Sequence, residues 1–206
     1  MSSANSGLQL ILASTSRYRK DLLSRLGLPF ETAAPEVHET PLDGEQATDT
    51  ATRLALAKAQ AVRVRFPNAL IIGSDQVAMC EGVHLDKPMT HVVAVEQLRQ
   101  VSGRSVTFHS AVVLLNARSG RIHSRLVPTT VKFRRLDDAE VGRYLRREPA
   151  YDCAGSAKAE GLGISLIESI ESDDPTALIG LPLIALCSML REEGLIIPKQ
   201  WIILLY

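Results

Sequence analysis

The chain has 206 residues, 46% apolar and 22% charged, with 23 lysines and arginines against 23 aspartates and glutamates. That balance excludes a protein that grips a nucleic-acid backbone through a basic excess, and favours a small, locally bound anion as the negative partner. Three cysteines, far apart and in no CxxC pairing, exclude a disulfide framework or a cysteine zinc site and read as small core residues. No apolar run approaches the roughly 20 residues of a membrane span.

In chain order, Leu8 to Ala13 is an unbroken apolar run, the pattern of a strand covered on both faces; it is too short for a signal peptide and has no basic leader. The reading is therefore cytoplasmic. Ser14-Thr15-Ser16 can cap a following helix whose inner face is Leu22, Leu23 and Leu26 and which Gly27 closes. Pro29 to Ala33 predicts a second strand and Pro35 to Gly44 an acidic loop. Leu54, Ala55, Ala59 and Val62 recur at helical spacing and predict a long helix over 48–64. Ala69 to Gly73 predicts a buried strand ending at Ser74-Asp75-Gln76.

Lys87-Pro88 marks a turn, and a helix is expected over 92–101. Residues 105–115 and 121–135 are β-rich around Asn116 to Gly120, a hairpin, followed by a helix over 137–146. A glycine-rich stretch (Ala154 to Gly163), a short strand near 164–167 and an acidic loop ending at Pro175 precede a last helix from Pro182 to Gly194. The order predicts a single α/β domain over 1–206 with a mixed sheet and a core over 8–194. The apolar tail 195–206 reads equally as a final strand, a subunit contact, or an addition foreign to the protein.

Several positions carry chemistry. Ser14 to Lys20 joins a buried strand to a helix start, where free N–H groups and the helix dipole favour an anion. Arg17, Arg19 and Lys20 crowd the first turn, either as a basic face in solvent or as partners of a phosphate chain. Asp75 closes a buried strand, where open α/β sheets bind ligands; it can bind a divalent cation, accept a proton from water, or simply form a turn.

Lys58 and Lys87 can meet phosphoryl charge, and Glu39 can add a carboxylate around magnesium; each also reads as solvated surface. Ala154 to Gly163 matches neither a P-loop nor a Rossmann fingerprint. Asp173-Asp174-Pro175 suits a metal or an ordinary helix entry. The five histidines share no ligand spacing, and without a G-x-S-x-G elbow a serine–histidine hydrolase is not expected.

Leu10 to Ser16, Ile71 to Val77, Cys153 to Ser156, Lys158 to Gly161 and Leu178 to Ile184, in this order, resemble the motifs of the Maf family, more closely its YceF-like branch. The resemblance runs from about Leu8 to Gly194. It implies an elongated, two-lobed α/β fold around a central cleft, like that of inosine triphosphate pyrophosphatases. It also implies a nucleotide pyrophosphatase that needs a divalent metal (Mg²⁺, Mn²⁺ or Co²⁺), and a homodimer.

By position in the motifs, Asp75 matches the proton acceptor and a metal position. Arg19, Lys20, Glu39, Lys58 and Lys87 match charged phosphate and metal positions, with Ser14 and Ser16 in the phosphate loop. Tyr18, Gln76 and Glu160 match the positions that set base choice. The branch prefers 7-methyl-GTP; its sister branch hydrolyses dTTP and UTP and carries Thr after the catalytic Asp, where this chain has Gln76. A non-catalytic nucleotide-binding regulator of cell division is the more distant alternative.

A positively charged 7-methylguanine suits the Tyr18 ring, with a cation–π gain of about 1 kcal/mol. Glu160 can accept from the guanine N1–H and amino group, and Gln76 can donate or accept. The chain departs from the family pattern at Arg17 (usually proline), Lys20 (arginine), His38 (aspartate), Asp86 (glycine) and Ala157 (an aromatic).

Overall fold

The computed structural model describes residues 9–198. Strand β1 (Leu10–Leu12) is apolar throughout because both its faces are covered. Leu10 and Leu12 join a cluster with helices α1 (Arg17–Ser24) and α5 (Leu183–Glu192), while Ile11 faces helix α2 (Ala47–Arg63). β1 runs parallel to β2 (Glu31–Thr32) on one side and to β3 (Leu70–Cys80) on the other.

β3 pairs antiparallel along its whole length with β5 (Ser105–Asn116), which forms the expected hairpin with β6 (Ile122–Phe133). β7 (Ile167–Ser172) closes the far edge, and β4 (Val83–Leu85) folds back on the end of β3. The result is a seven-stranded mixed sheet, six strands in the order β2-β1-β3-β5-β6-β7 and β4 off that path on β3, the α/β class read from the sequence.

A third cluster, built on helices α3 (His91–Val101) and α4 (Asp138–Arg147), covers the other end of β3, β5 and β6 through Ala78, Cys80, Val106, Phe108 and Phe133. Two lobes thus share one sheet. No helix among the described residues is long and apolar enough to cross a membrane.

Three expectations are corrected. β3 does not stop at Gly73; it runs on to Cys80, because β5 offers main-chain partners from Val106 to Asn116 and pairing overrides the polar Ser74-Asp75-Gln76. Its turn into β4 uses two residues of positive φ, Glu81 (49°) and Gly82 (82°), the geometry that suits a two-residue hairpin. Residues 162–166 form a 3₁₀ turn rather than a strand, and β7 occupies the stretch read as an acidic loop. β7 is largely exposed, with Glu168 paired to Lys132 of β6, as suits an edge strand protected by charge.

Of the apolar tail, Leu195 and Ile197 pack against the α1/α5 cluster; 199–206 and Leu8 lie outside the described residues.

Candidate active site

The site begins where β1 stops. Ala13 donates to Ile72 O at 2.8 Å, the last rung between β1 and β3; the chain then turns away as Ser14. Between Gly73 and Val77, β3 has β5 on one side only, since β4 joins it at Ala78. That free edge opens on a cleft of about 690 Å³, within the size range of small-molecule sites. The loop after β1, Asp75 and Gln76 on β3, and the turn from Ala157 to Glu160 all line it.

Gly73 sets the depth of the cleft. A Cβ there would lie 2.1 Å from Ala55 O and 2.9 Å from Ala59 N, so α2 sits directly on β3 only because the residue is glycine. Lys58, on that same helix, is thereby buried at 4% exposure. Its Nζ is 2.6 Å from Asp75 Oδ1 and 2.6 Å from Glu39 Oε1. A buried ammonium needs such partners, because an unpaired one is costly to desolvate.

Burial acts to raise the Glu39 pKa. The Lys58 hydrogen bond and the charges of Lys58, Lys87 and Arg19 outweigh it, holding the carboxyl below its ordinary value. Asp75 therefore lies within β3 rather than at its end, beside the point where its parallel neighbour has ended.

Ser16 caps α1, accepting from the Arg19 N–H at 3.4 Å, and Ser14 Oγ accepts from the Ser16 N–H at 3.1 Å. The three cations of this turn separate. Arg19 lines the cleft with its Nε bonded to Gly180 O at 2.8 Å. Arg17 pairs with Asp152 at 3.2 Å. Lys20 is exposed and does not line the cleft.

Tyr18 donates to Asp152 Oδ2 at 2.9 Å and accepts from Arg17 at 2.8 Å. Two cations stand over its ring, the Arg17 guanidinium at 4.8 Å from the centroid and Lys158 Nζ at 5.8 Å.

The Gln76 amide nitrogen lies 2.8 Å from Ser110 Oγ, 2.9 Å from Ala177 O and 3.1 Å from Leu178 O. Carbonyl oxygens only accept, so the NH₂ group is fixed toward them, and the amide oxygen is the polar atom left for a ligand.

Lys87 lines the cleft from the turn after β4. The neighbouring Asp86 carboxylate sits 3.4 Å from His84 Nδ1 and forms no pair with Lys87 among the described residues. Gln97 ties this turn to the glycine-rich segment, donating to Asp86 O at 2.7 Å and accepting from Ser156 Oγ at 2.6 Å. Gly163 holds the Glu160 turn closed, since a Cβ there would lie 2.5 Å from the Lys158 backbone.

Asp152, beside the Cys153-Ala154-Gly155-Ser156 motif, is a cleft residue the sequence reading missed, although that motif pointed to its neighbourhood. Cys153 is a correction: it borders the cleft, while Cys80 is in the core. Burial pushes its thiol up to about 12, so it offers no nucleophile.

Asp174 is a helix entry and does not line the cleft. Its Oδ2 accepts from Ile184 and Ala185 N–H at 2.7 and 3.3 Å, and Thr176 Oγ1 accepts from Leu183 N–H at 2.8 Å, so the first turn of α5 is satisfied. Among the described residues no group of three or more histidine, cysteine or acidic side chains could hold a metal alone. Asp75 Oδ2 and Glu39 Oε2 have no hydrogen-bond partner among the described residues.

A two-lobed mixed sheet with buried acid, buried ammonium and loop cations on one cleft is built to receive a phosphate-bearing ligand. The chain belongs to the Maf family: the family profile described as "Maf-like protein" matches residues 9–193. It is 57% identical over 190 residues to a "7-methyl-GTP pyrophosphatase" of Aromatoleum aromaticum, covering 92% of this chain and 98% of that one. Relatives of the same name include those of Cupriavidus pinatubonensis, 58% identical over 186 residues (90% and 94% covered), and Burkholderia pseudomallei, 57% over 189 (90% and 88%).

Proposed function

We propose that the chain hydrolyses 7-methyl-GTP to 7-methyl-GMP and diphosphate, cutting the α–β phosphoanhydride bond. The observation that carries this reading is the pair Asp75–Lys58, buried on a cleft and joined by the exposed Glu39, with the loop after β1, Tyr18, Gln76 and Glu160 lining the same cleft.

In this mechanism Asp75 takes the proton of the attacking water through its uncommitted oxygen. Lys58 orients Asp75 and Glu39, and Arg19 and Lys87 offset the charge growing on the phosphoryl oxygens and the departing diphosphate. Ser14 and Ser16 shape the loop against the phosphate chain. Lys20 contributes at most long-range charge, given its exposure.

The donor set fits a divalent cation. Magnesium binds through one or two carboxylates, completed by phosphate oxygens and water, and Glu39 and Asp75 each keep one oxygen uncommitted. Those two residues would hold Mg²⁺, Mn²⁺ or Co²⁺, which when bound supplies further charge neutralisation at the phosphates.

Tyr18 offers a ring face that attracts cations, held here by Arg17 and Lys158, and a positively charged base would take that face in place of one of them. The Gln76 amide oxygen and the Glu160 carboxylate are both acceptors, matched to the donor edge of guanine. The reading includes a small-molecule nucleotide rather than a nucleic acid, a cytoplasmic setting consistent with three free cysteines, and a homodimer.

The test is diphosphate release from 7-methyl-GTP, GTP, dTTP and UTP, each with Mg²⁺, Mn²⁺ and Co²⁺. The expected result is fastest release from 7-methyl-GTP. Faster turnover of dTTP or UTP overturns the base assignment, and binding without diphosphate release overturns the enzymatic one.

A further inference from the structure

We propose that Arg53 and Glu45, which lie outside the cleft, are positioning residues that hold Glu39 in place over Lys58. The proposal rests on the reading of Glu39 as a cation-binding carboxylate.

Glu39 sits on the segment between β2 and α2, which is mostly exposed and has no secondary structure. Residues 35–41 make no backbone–backbone hydrogen bond; the nearest runs from Glu45 N–H to Leu42 O at 3.0 Å. A chain with so few internal ties does not fix a side chain by itself.

The order comes from α2. Arg53 forms a two-pronged pair with Glu45, Nε to Oε1 at 2.6 Å and Nη2 to Oε2 at 2.7 Å, the strongest geometry an arginine and a carboxylate adopt. Glu45 Oε2 also accepts from the Leu42 N–H at 3.0 Å and from Thr50 Oγ1 at 2.8 Å. Arg53 Nη2 then donates to Thr40 O at 3.2 Å, next in the chain to Glu39.

Arg53 thus grips the backbone beside Glu39 while Lys58, further along the same helix, grips its carboxylate. One helix, seated on β3 at Gly73, supplies both of these holds on the connection. Neither Arg53 nor Glu45 lines the cleft, so both act on a ligand through neighbours that do, Glu39 being the one with a carboxylate to offer.

The test uses the full chain with Arg53→Met, which keeps the stem and removes the fork, alongside Arg53→Lys, Glu45→Gln and Glu39→Gln. Three quantities are read: Mn²⁺ binding without nucleotide by electron paramagnetic resonance, hydrogen exchange of residues 35–45, and kcat at saturating Mn²⁺.

Arg53→Met and Glu45→Gln are expected to weaken Mn²⁺ binding by about 10-fold or more, as loss of a group orienting a metal ligand typically does, with kcat at saturation within about twofold. Exchange of 35–45 should quicken in both, and Arg53→Lys should recover part of the loss because it keeps the charge but not the fork.

Unchanged exchange in Arg53→Met overturns the proposal whatever the metal does. A lower melting temperature with unchanged Mn²⁺ binding, while Glu39→Gln does weaken it, also overturns it and leaves Glu39 as a ligand. If Glu39→Gln itself leaves Mn²⁺ binding unchanged, the cation role of Glu39 fails, and the proposal fails with it.

Discussion

Asp75 and Lys58 meet at 2.6 Å with their side chains 10% and 6% exposed, an acid and an ammonium withdrawn from water at the end of an open cleft. Asp75→Asn preserves the shape and leaves Lys58 its contact with Glu39, but removes the proposed proton acceptor. Turnover should fall by roughly 10²–10⁴-fold, the span of general-base contributions, with the fold retained. Diphosphate release and a thermal melt on the same preparation check both halves; a rate close to the parent's removes Asp75 from the mechanism.

Gln76→Glu tests the fixed amide. The substitution sets a carboxylate against two carbonyl oxygens and a hydroxyl that now receive an N–H. Ala177 O keeps Ser110 Oγ and the Gly180 N–H, but Leu178 O and Ser110 Oγ lose their donor; that costs roughly 1–3 kcal/mol and pushes the side chain away, so both stability and 7-methyl-GTP turnover should drop. Denaturant unfolding reads the first, and an unchanged midpoint contradicts the bonding described.

Gly73→Ala places a methyl group 2.1 Å from Ala55 O, an atom of helix backbone that cannot rotate aside. Helix α2 must lift, at a cost of roughly 1–3 kcal/mol by analogy with overpacked cores. Lys58 lifts with it, so activity should fall along with the melting temperature.

Acid stability isolates the Glu45–Arg53 pair. The Arg53 hydrogen bond is the main cause, burial opposes it, and the Leu42 N–H and Thr50 hydroxyl add to it; the carboxyl falls to about 2. A carboxyl lowered in the folded state stabilises fully above its unfolded value, about 4.3, and loses that contribution as pH falls through the folded one. The stability gap between the parent and Glu45→Gln should therefore be widest near neutrality and shrink between about pH 4 and 2. Melts across that interval measure it; a gap that widens in acid contradicts the assignment.

Asp174→Ala removes the acceptor of two N–H groups in the first turn of α5. A loss of about 1 kcal/mol or more in unfolding free energy is expected, as for a helix cap, with the metal requirement of catalysis unchanged. A shifted metal requirement would return Asp174 to the site.

Much of this arrangement is legible in the sequence because it follows from local pattern. The apolar run of β1, the helical spacing of Leu54 to Val62 and the acid after Ile71-Ile72 placed the phosphate loop, Lys58 and Asp75 on elements that the fold brings together. What escaped depends on partners distant in the chain. The extension of β3 past Gly73 requires β5, and β7 requires β6.

Other misses turn on side-chain direction. Arg19 and Lys20 are adjacent on α1, so they point about 100° apart; one reaches Gly180 and the other meets solvent. The β3–β4 turn did leave a trace, Gly82 between two β-rich stretches, too short to read beside so long a strand.

β3 and β5 pass without interruption from the cluster beneath α1 and α5 to the cluster beneath α3 and α4. The two halves of the cleft are thus joined by hydrogen-bonded ribbon rather than by a pliable connector. Moving one whole lobe relative to the other around a nucleotide therefore means winding or unwinding the sheet itself, whereas Glu160, on an exposed turn, can approach Asp75 without it.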